Sequence, residues 1–135
     1  MKNMRKIRVV AAAIVQDNRL LIAQRSEEMS SALLWEVPGG KVEDGESDQE
    51  ALIRELKEEL AIEVDVEDFV GMSCVVVGQK EIEMYVYRCT IQKGTPQAIE
   101  HKEIMWADES QLACASWAPA DIPLIPQLVV CTKGN

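Results

Sequence analysis

The chain has 135 residues, 47% of them hydrophobic, and a formal net charge of −9 from 23 acidic and 14 basic side chains. That length suits one core of ordinary domain size, and that hydrophobic content excludes a disordered chain. The acidic balance excludes a stable grip on nucleic acid, which needs a basic surface against the phosphates, but a small anion remains possible if cations mediate the contact.

The basic start, Met1 to Arg5, and the apolar run Val9 to Val15 imitate a weak signal peptide. The run stops early, at Gln16-Asp17-Asn18-Arg19, so a buried strand is expected instead. No stretch approaches the roughly 20 apolar residues of a membrane span. Arg8–Val15 and Arg19–Arg25 flank a polar turn and read as strand, turn, strand. A loop follows, up to Trp35. Ser47-Asp48-Gln49-Glu50 then fits a capping box, with Ser47 as the cap and Glu50 reaching back. Ala51, Leu52, Leu56 and Leu60, with Ile53 at the edge, give the helix an apolar stripe for the core.

Downstream, Glu63–Val77 and Glu81–Ile91 are β-branched and aromatic segments separated by Gly78-Gln79-Lys80, which predicts two antiparallel strands. A loop with Gly94 and Pro96 leads to a short strand over Ile104–Asp108, and Asp108 can cap a short helix over Glu109–Ala113. A proline-rich loop, Ser116–Leu124, precedes a final helical segment ending at Cys131. No repeat, low-complexity segment or linker interrupts the chain, so a single domain over 1–135 is expected, an α/β or α+β sandwich. The cysteines Cys74, Cys89, Cys114 and Cys131 form no CxxC pair and fit buried thiols of a reducing cytoplasm better than a zinc or redox motif.

Glu55, Glu58 and Glu59 share one helix face, and like charges at that spacing cost roughly 0.2–0.5 kcal/mol per pair. Two readings are open. The helix is an exposed one with interspersed charges, or the carboxylates hold a hard divalent cation, Mg2+ or Mn2+, which prefers oxygen ligands and substrate phosphates. The Gly39-Gly40 turn just upstream permits close backbone approach, so a carbonyl there could join the shell.

From Gly40 the window runs G-x5-E-x7-R-E-L-x-E-E-x-A-I, through Gly40, Glu46, Arg54, Glu55, Leu56, Glu58, Glu59, Ala61 and Ile62. It resembles the Nudix box, which has glycine where this chain has Ala61. The resemblance implies an α/β/α sandwich with a mixed β-sheet and a hydrolase of nucleoside diphosphates linked to another moiety. It implies Mg2+ or Mn2+ held by Glu55, Glu58, Glu59 and the Gly39 carbonyl, with Glu46 and Arg54 pairing to hold the loop against the helix. Glycine in place of Ala61 would end the helix in the left-handed region, which costs other residues roughly 1–2 kcal/mol, so Ala61 puts the helix exit in question.

The segments around Val9–Arg25 and Leu34–Ser47 are similar to the MutT-type branch of the family. That branch implies conversion of nucleoside triphosphates to monophosphates and pyrophosphate, with water attacking the β phosphorus. The same likeness places Glu100 as a further carboxylate facing the metals, so that Glu55 or Glu100 is the general base, and gives Arg25 a phosphate or sugar contact; taken alone, Glu100 also fits a solvated loop acid and Arg25 a plain surface ion pair. Ala118–Leu124 resembles the base-reading loop, with Asp121 where the 8-oxo-guanine enzymes carry asparagine. An ionised Asp only accepts, which suits the exocyclic amine of cytosine, whereas a protonated one mimics asparagine. Asp121 could also simply cap the final helix, with Pro123 in its first turn.

The loop is also similar to that of the CTP pyrophosphohydrolase group, which favours CTP, dCTP and 5-methyl-dCTP, with 8-oxo-dGTP the alternative. ADP-ribose or a dinucleoside polyphosphate is a further substrate reading. A sensor that binds a nucleotide without cleaving it is the reading from another class. Trp35, Tyr85 and Trp117 are expected to pack in the core rather than line a pocket, His101 is given no role, and a monomer or a homodimer fits equally.

Overall fold

The computed structural model describes residues 4–133. Residues 1–3 and 134–135, into which the expected domain and its basic leader extend, lie outside the described residues. The chain runs β1 (Arg5–Gln16), β2 (Arg19–Gln24), β3 (Trp35–Glu36), β4 (Gly39–Lys41), α1 (Asp48–Leu60), β5 (Glu63–Val77), β6 (Lys80–Lys93), β7 (Glu103–Ala107), α2 (Glu109–Cys114), a 3-10 turn (Ile122–Leu124) and α3 (Ile125–Lys133). The β1–β2 turn places Asp17 and Asn18 at φ 53° and 61°, a tight hairpin in which both central residues are of types that tolerate the left-handed region. Gly78 and Gln79 alone turn β5 into β6, because Lys80 already pairs with Val77.

β1 is the hub of a mixed sheet. It runs parallel to β6 from Arg5 to Ile14 and antiparallel to β4 from Val9 to Ala11, and its last residues pair with β2. β2 also pairs antiparallel with β3 and β7, and β5 lies antiparallel to β6 at the edge. Alternate side chains leave β1 on opposite faces. Val10, Ala12 and Ile14 pack with Leu52, Leu56 and Leu60 of α1, while Ala11 and Ala13 pack with Leu112, Leu124 and Leu128 on the other side. This explains the unbroken apolar run in the sequence: β1 is buried on both faces. The result is the α/β/α sandwich. The three α1 leucines are fully buried, each worth about 1.5–3 kcal/mol relative to exposure.

α1 begins with the capping box expected: Glu50 N–H donates to Ser47 Oγ at 3.1 Å and Ser47 N–H to Glu50 Oε1 at 2.9 Å. Arg8 forks onto Asp48 at 2.8 and 2.7 Å, and the Tyr87 hydroxyl donates to the same carboxylate at 2.7 Å, fastening the first turn to the sheet. The helix ends through Ala61 at φ 60°, ψ 37°, with its N–H bonded to the Lys57 carbonyl. Alanine therefore adopts the left-handed exit for which glycine is suited.

The loop after β6 is tied to this helix end. Gln97 N–H donates to the Leu60 carbonyl at 3.0 Å and Ile99 N–H to the Glu59 carbonyl at 3.3 Å. Both acceptors belong to the last turn, whose carbonyls have no partner within the helix. Further on, Lys102 N–H reaches the Gln24 carbonyl of β2 at 2.9 Å. Asp108 caps α2 in a second capping box, with Gln111 as its partner. Pro123 and Pro126 lie in the first turns of the 3-10 segment and of α3, where a missing N–H costs no intrahelical bond. No helix among the described residues is long and apolar enough to cross a membrane.

Candidate functional site

Gly39 and Gly40 lie on β4 against β1, beside α1. A Cβ on Gly39 would collide with the Val10 carbonyl and Ala11 Cα, and one on Gly40 would collide with the Glu55 carboxylate. The two glycines thus do separate work: the first lets β4 press on β1, and the second makes room for an acid from the helix.

Arg54 organises the outer side of this acidic patch. Its Nε donates to Glu46 Oε2 at 2.7 Å and its Nη2 to Glu46 Oε1 at 3.0 Å and to the Lys41 carbonyl at 3.1 Å. Glu46 Oε1 also accepts the Glu43 N–H at 2.9 Å. These donors, Arg54 foremost, hold the Glu46 carboxyl down at about 2. Nη1 of Arg54 reaches Glu55 at 3.1 Å and the exposed Glu58 at 3.3 Å.

Glu59 faces inward and is 9% exposed, and its Oε1 has no hydrogen-bond partner. Burial, then the neighbouring Glu55, then the charges of Glu36 and Glu100, push its carboxyl up to about 9. A buried acid with an orphaned oxygen among three other carboxylates demands a proton or a cation. The donor set is oxygen only, so it fits a hard divalent ion. Because Glu58 turns toward Arg54, the carboxylate oxygens of Glu55, Glu58 and Glu59 do not close on one point. Among the described residues, the acidic and thiol groups gathered within 4.8 Å are Cys74, Glu81 and Glu83 on the β5–β6 hairpin. There Lys6 pairs with Glu83 at 3.5 Å.

A groove leads away from the acidic patch. Its first part, about 390 Å³, is lined by Gly39, Gly40, Glu59 and His101; its second, about 630 Å³, by Asp121, Ala118 and Arg5. Arg25, Glu36 and Lys80 line both. Arg25 is half-buried and pairs with Glu36 at 2.7 Å, while its Nε and Nη2 donate to the Ser30 carbonyl and hydroxyl at 2.5 and 3.1 Å. It is therefore both an ion-pair partner and a groove wall.

Asp121 is 2% exposed, and its Oδ2 accepts the Val37 N–H at 2.9 Å. Burial pushes this carboxyl well above the usual range, and the Glu36 charge adds to that, while the Val37 N–H and the Arg25 charge oppose it. Asp121 stands at the start of the 3-10 turn but its side chain makes no capping bond. The capping role is thereby corrected: the carboxylate is drawn away across the groove by Val37. Trp117 packs in the core with its Nε1 donating to the Leu112 carbonyl at 2.9 Å, and Trp35 packs against the same cluster. Tyr85 lies under the Arg8 guanidinium, 3.8 Å away.

Two residues given no part by the sequence stand at the junction of the groove. Glu36 bonds Arg25 with one oxygen and the buried His101 Nε2, at 2.9 Å, with the other. Their separation of 65 residues leaves no local pattern to read. The only signal is position: Glu36 adjoins the double glycine, and His101 adjoins Glu100.

The comparisons with known proteins give the family. The NUDIX domain family matches residues 4–128. The chain is 42% identical to the CTP pyrophosphohydrolase of Escherichia coli K12, over 90% of each chain. It is 38% identical to the putative 8-oxo-dGTP diphosphatase 2 of Mycobacterium tuberculosis, over 94% of this chain and 91% of that one. Among solved structures, the MutT protein of Methanosarcina mazei Go1 superposes with a TM-score of 0.85 at 23% identity, over 99% of this chain and 100% of that one.

Proposed function

Since the chain belongs to the Nudix hydrolase family, we propose that it is a metal-dependent nucleoside triphosphate pyrophosphohydrolase that prefers cytidine nucleotides: CTP, dCTP and 5-methyl-dCTP. The coarser statement, a Nudix nucleotide pyrophosphohydrolase, follows from the family and its relatives. The observation that supports metal dependence and a nucleotide laid along the site is the groove itself, with the orphaned Glu59 oxygen at one end and the buried Asp121 at the other; the cytidine preference is supported by the likeness to the CTP pyrophosphohydrolase.

In this reading Glu55, Glu58, Glu59, Glu100 and the Gly39 carbonyl would hold Mg2+ or Mn2+. Bound there, the cation neutralises phosphate charge and lowers the pKa of water. Glu46 and Arg54 keep the end of β4 and the loop after it against the helix. Arg25 holds a phosphate or the sugar midway along the groove, and Asp121 holds the base. The oxygen of the attacking water bonds the β phosphorus, and the bridging oxygen departs with the α phosphate as the nucleoside monophosphate. The water's proton passes to Glu55 or Glu100, and the relative kcat of Glu55→Gln and Glu100→Gln assigns it.

With Asp121 Oδ2 occupied by Val37, Oδ1 is left for the base. Ionised, it accepts from the cytosine amine. The raised carboxyl favours the second reading, 8-oxo-dGTP, because a protonated Asp121 donates as asparagine does. A panel of CTP, dCTP, 5-methyl-dCTP, 8-oxo-dGTP, dGTP and ADP-ribose with Mg2+, following pyrophosphate and monophosphate, tests both. Preference for 8-oxo-dGTP overturns the cytidine assignment, and tight binding without product establishes a sensor instead.

A further inference from the structure

We propose that His101 is a positioning residue: its bond to Glu36 fixes the short segment that carries Glu100 over the acidic patch and, through Glu36, sets Arg25 in the groove. The inference rests on the pyrophosphohydrolase reading and deepens it.

Four contacts carry the argument. The segment is anchored at Ile99, whose N–H bonds the Glu59 carbonyl, and at Lys102, whose N–H bonds Gln24 of β2. Between these anchors stand Glu100, which is exposed, and His101, which is 5% exposed and lines the part of the groove that also holds Glu59. The imidazole is the inward hold of the segment. Its Nε2 meets Glu36 Oε2 at 2.9 Å, while Glu36 Oε1 takes Arg25 at 2.7 Å.

A carboxylate paired with arginine accepts, so Nε2 carries the proton and donates. Nδ1 has no partner. The ring is thus held from one side, by one charge-assisted bond, and Glu36 is shared between His101 and Arg25. Loss of the ring frees the Glu100 segment between its two anchors and leaves Glu36 held by Arg25 alone.

The test compares His101→Ala and His101→Gln with the wild type, in steady-state kinetics across Mg2+ concentrations, in Mn2+ titration of the protein alone, and in amide hydrogen exchange. His101→Ala is expected to lower kcat by about 10–100-fold, with KM changing far less, and to weaken Mn2+ binding about tenfold. Exchange over 97–102 should accelerate, while that in the first turns of α1 stays unchanged. His101→Gln, whose amide N–H can still reach Glu36, should recover most of each loss.

Unchanged Mn2+ affinity and exchange in His101→Ala would overturn the proposal. So would a fall in kcat matched by an equal fall in folded fraction, with the Mg2+ dependence intact. If His101→Ala does not fold, His101→Asn, too short to reach Glu36, replaces it with the same expected losses. If the wild type hydrolyses none of the panel, the pyrophosphohydrolase reading fails by itself, and the Mn2+ and exchange measurements still decide the role of His101.

Discussion

The Asp121 carboxylate accepts the Val37 backbone N–H at 2.9 Å, which ties the loop before α3 to the strand-like segment that runs into Gly39 and Gly40. The bond leaves Oδ1 as the Asp121 oxygen not engaged by the backbone, and in the proposed function that oxygen is the one offered to a base.

Asp121→Asn tests this directly. Asparagine keeps its oxygen on Val37 and turns its amide N–H toward the base, so the acceptor for a cytosine amine disappears. The ratio of kcat/KM for CTP over 8-oxo-dGTP should fall at least about tenfold; an unchanged ratio removes Asp121 from base reading. Stability should respond as well. An acid whose folded pKa is raised binds its proton more tightly when folded, so stability present at low pH is lost as pH rises from about 4 toward the raised value. Asparagine has no such loss, so the Tm of the variant should exceed that of the wild type at pH 8 and match it below pH 4.

Glu59→Gln should separate metal binding from folding. With its carboxyl pushed up to about 9, Glu59 destabilises the metal-free fold progressively as pH rises from about 4.5 to 9. The neutral variant should therefore be more stable than the wild type at pH 8 without metal, by on the order of a few kcal/mol. Millimolar Mg2+ should raise the wild-type Tm and leave that of Glu59→Gln nearly unmoved, while kcat falls by about two orders of magnitude or more. An equal Mg2+-induced shift in both proteins would remove Glu59 from the metal site.

Gly40→Ala should impair chemistry more than folding. The added methyl meets the carboxylate of Glu55, a movable group, and not backbone. Glu55 must then swing away from β4. An activity loss of about tenfold or more, with a Tm change of only a few degrees, is expected, and normal kcat would show that Glu55 works from another position. Gly39→Ala meets backbone instead and should unfold the β1–β4 pairing.

Ala61→Gly should stabilise. Alanine occupies a left-handed conformation here at a cost of roughly 1 kcal/mol, and glycine removes that strain while adding some unfolded-state entropy. A net gain of about 0.5–1 kcal/mol in urea unfolding is expected, with kcat unchanged.

What could be read from the sequence was local. The capping box at Ser47, the leucine stripe of α1, the Asp17-Asn18 turn and the Glu46–Arg54 spacing lie within a few residues or one helix length, and each appears in the structure. The box also carried the family and, through it, the sandwich. The parallel alignment of β1 with β6 and the bond from Val37 to Asp121 join residues far apart, and no periodicity encodes them. The same is true of His101. A single histidine in a polar loop looks like a solvated one, and only the fold shows that it is buried against Glu36.

The loop that carries Glu100 also bears on affinity. Gln97 and Ile99 complete hydrogen bonds that the last turn of α1 leaves open, so the loop is ordered when the protein folds and not when a nucleotide arrives. A flexible lid would subtract its ordering entropy from every binding event. If the loop faces the nucleotide as proposed, that cost falls on folding, once, and the interaction energy of the phosphates is left to act at the reacting centre.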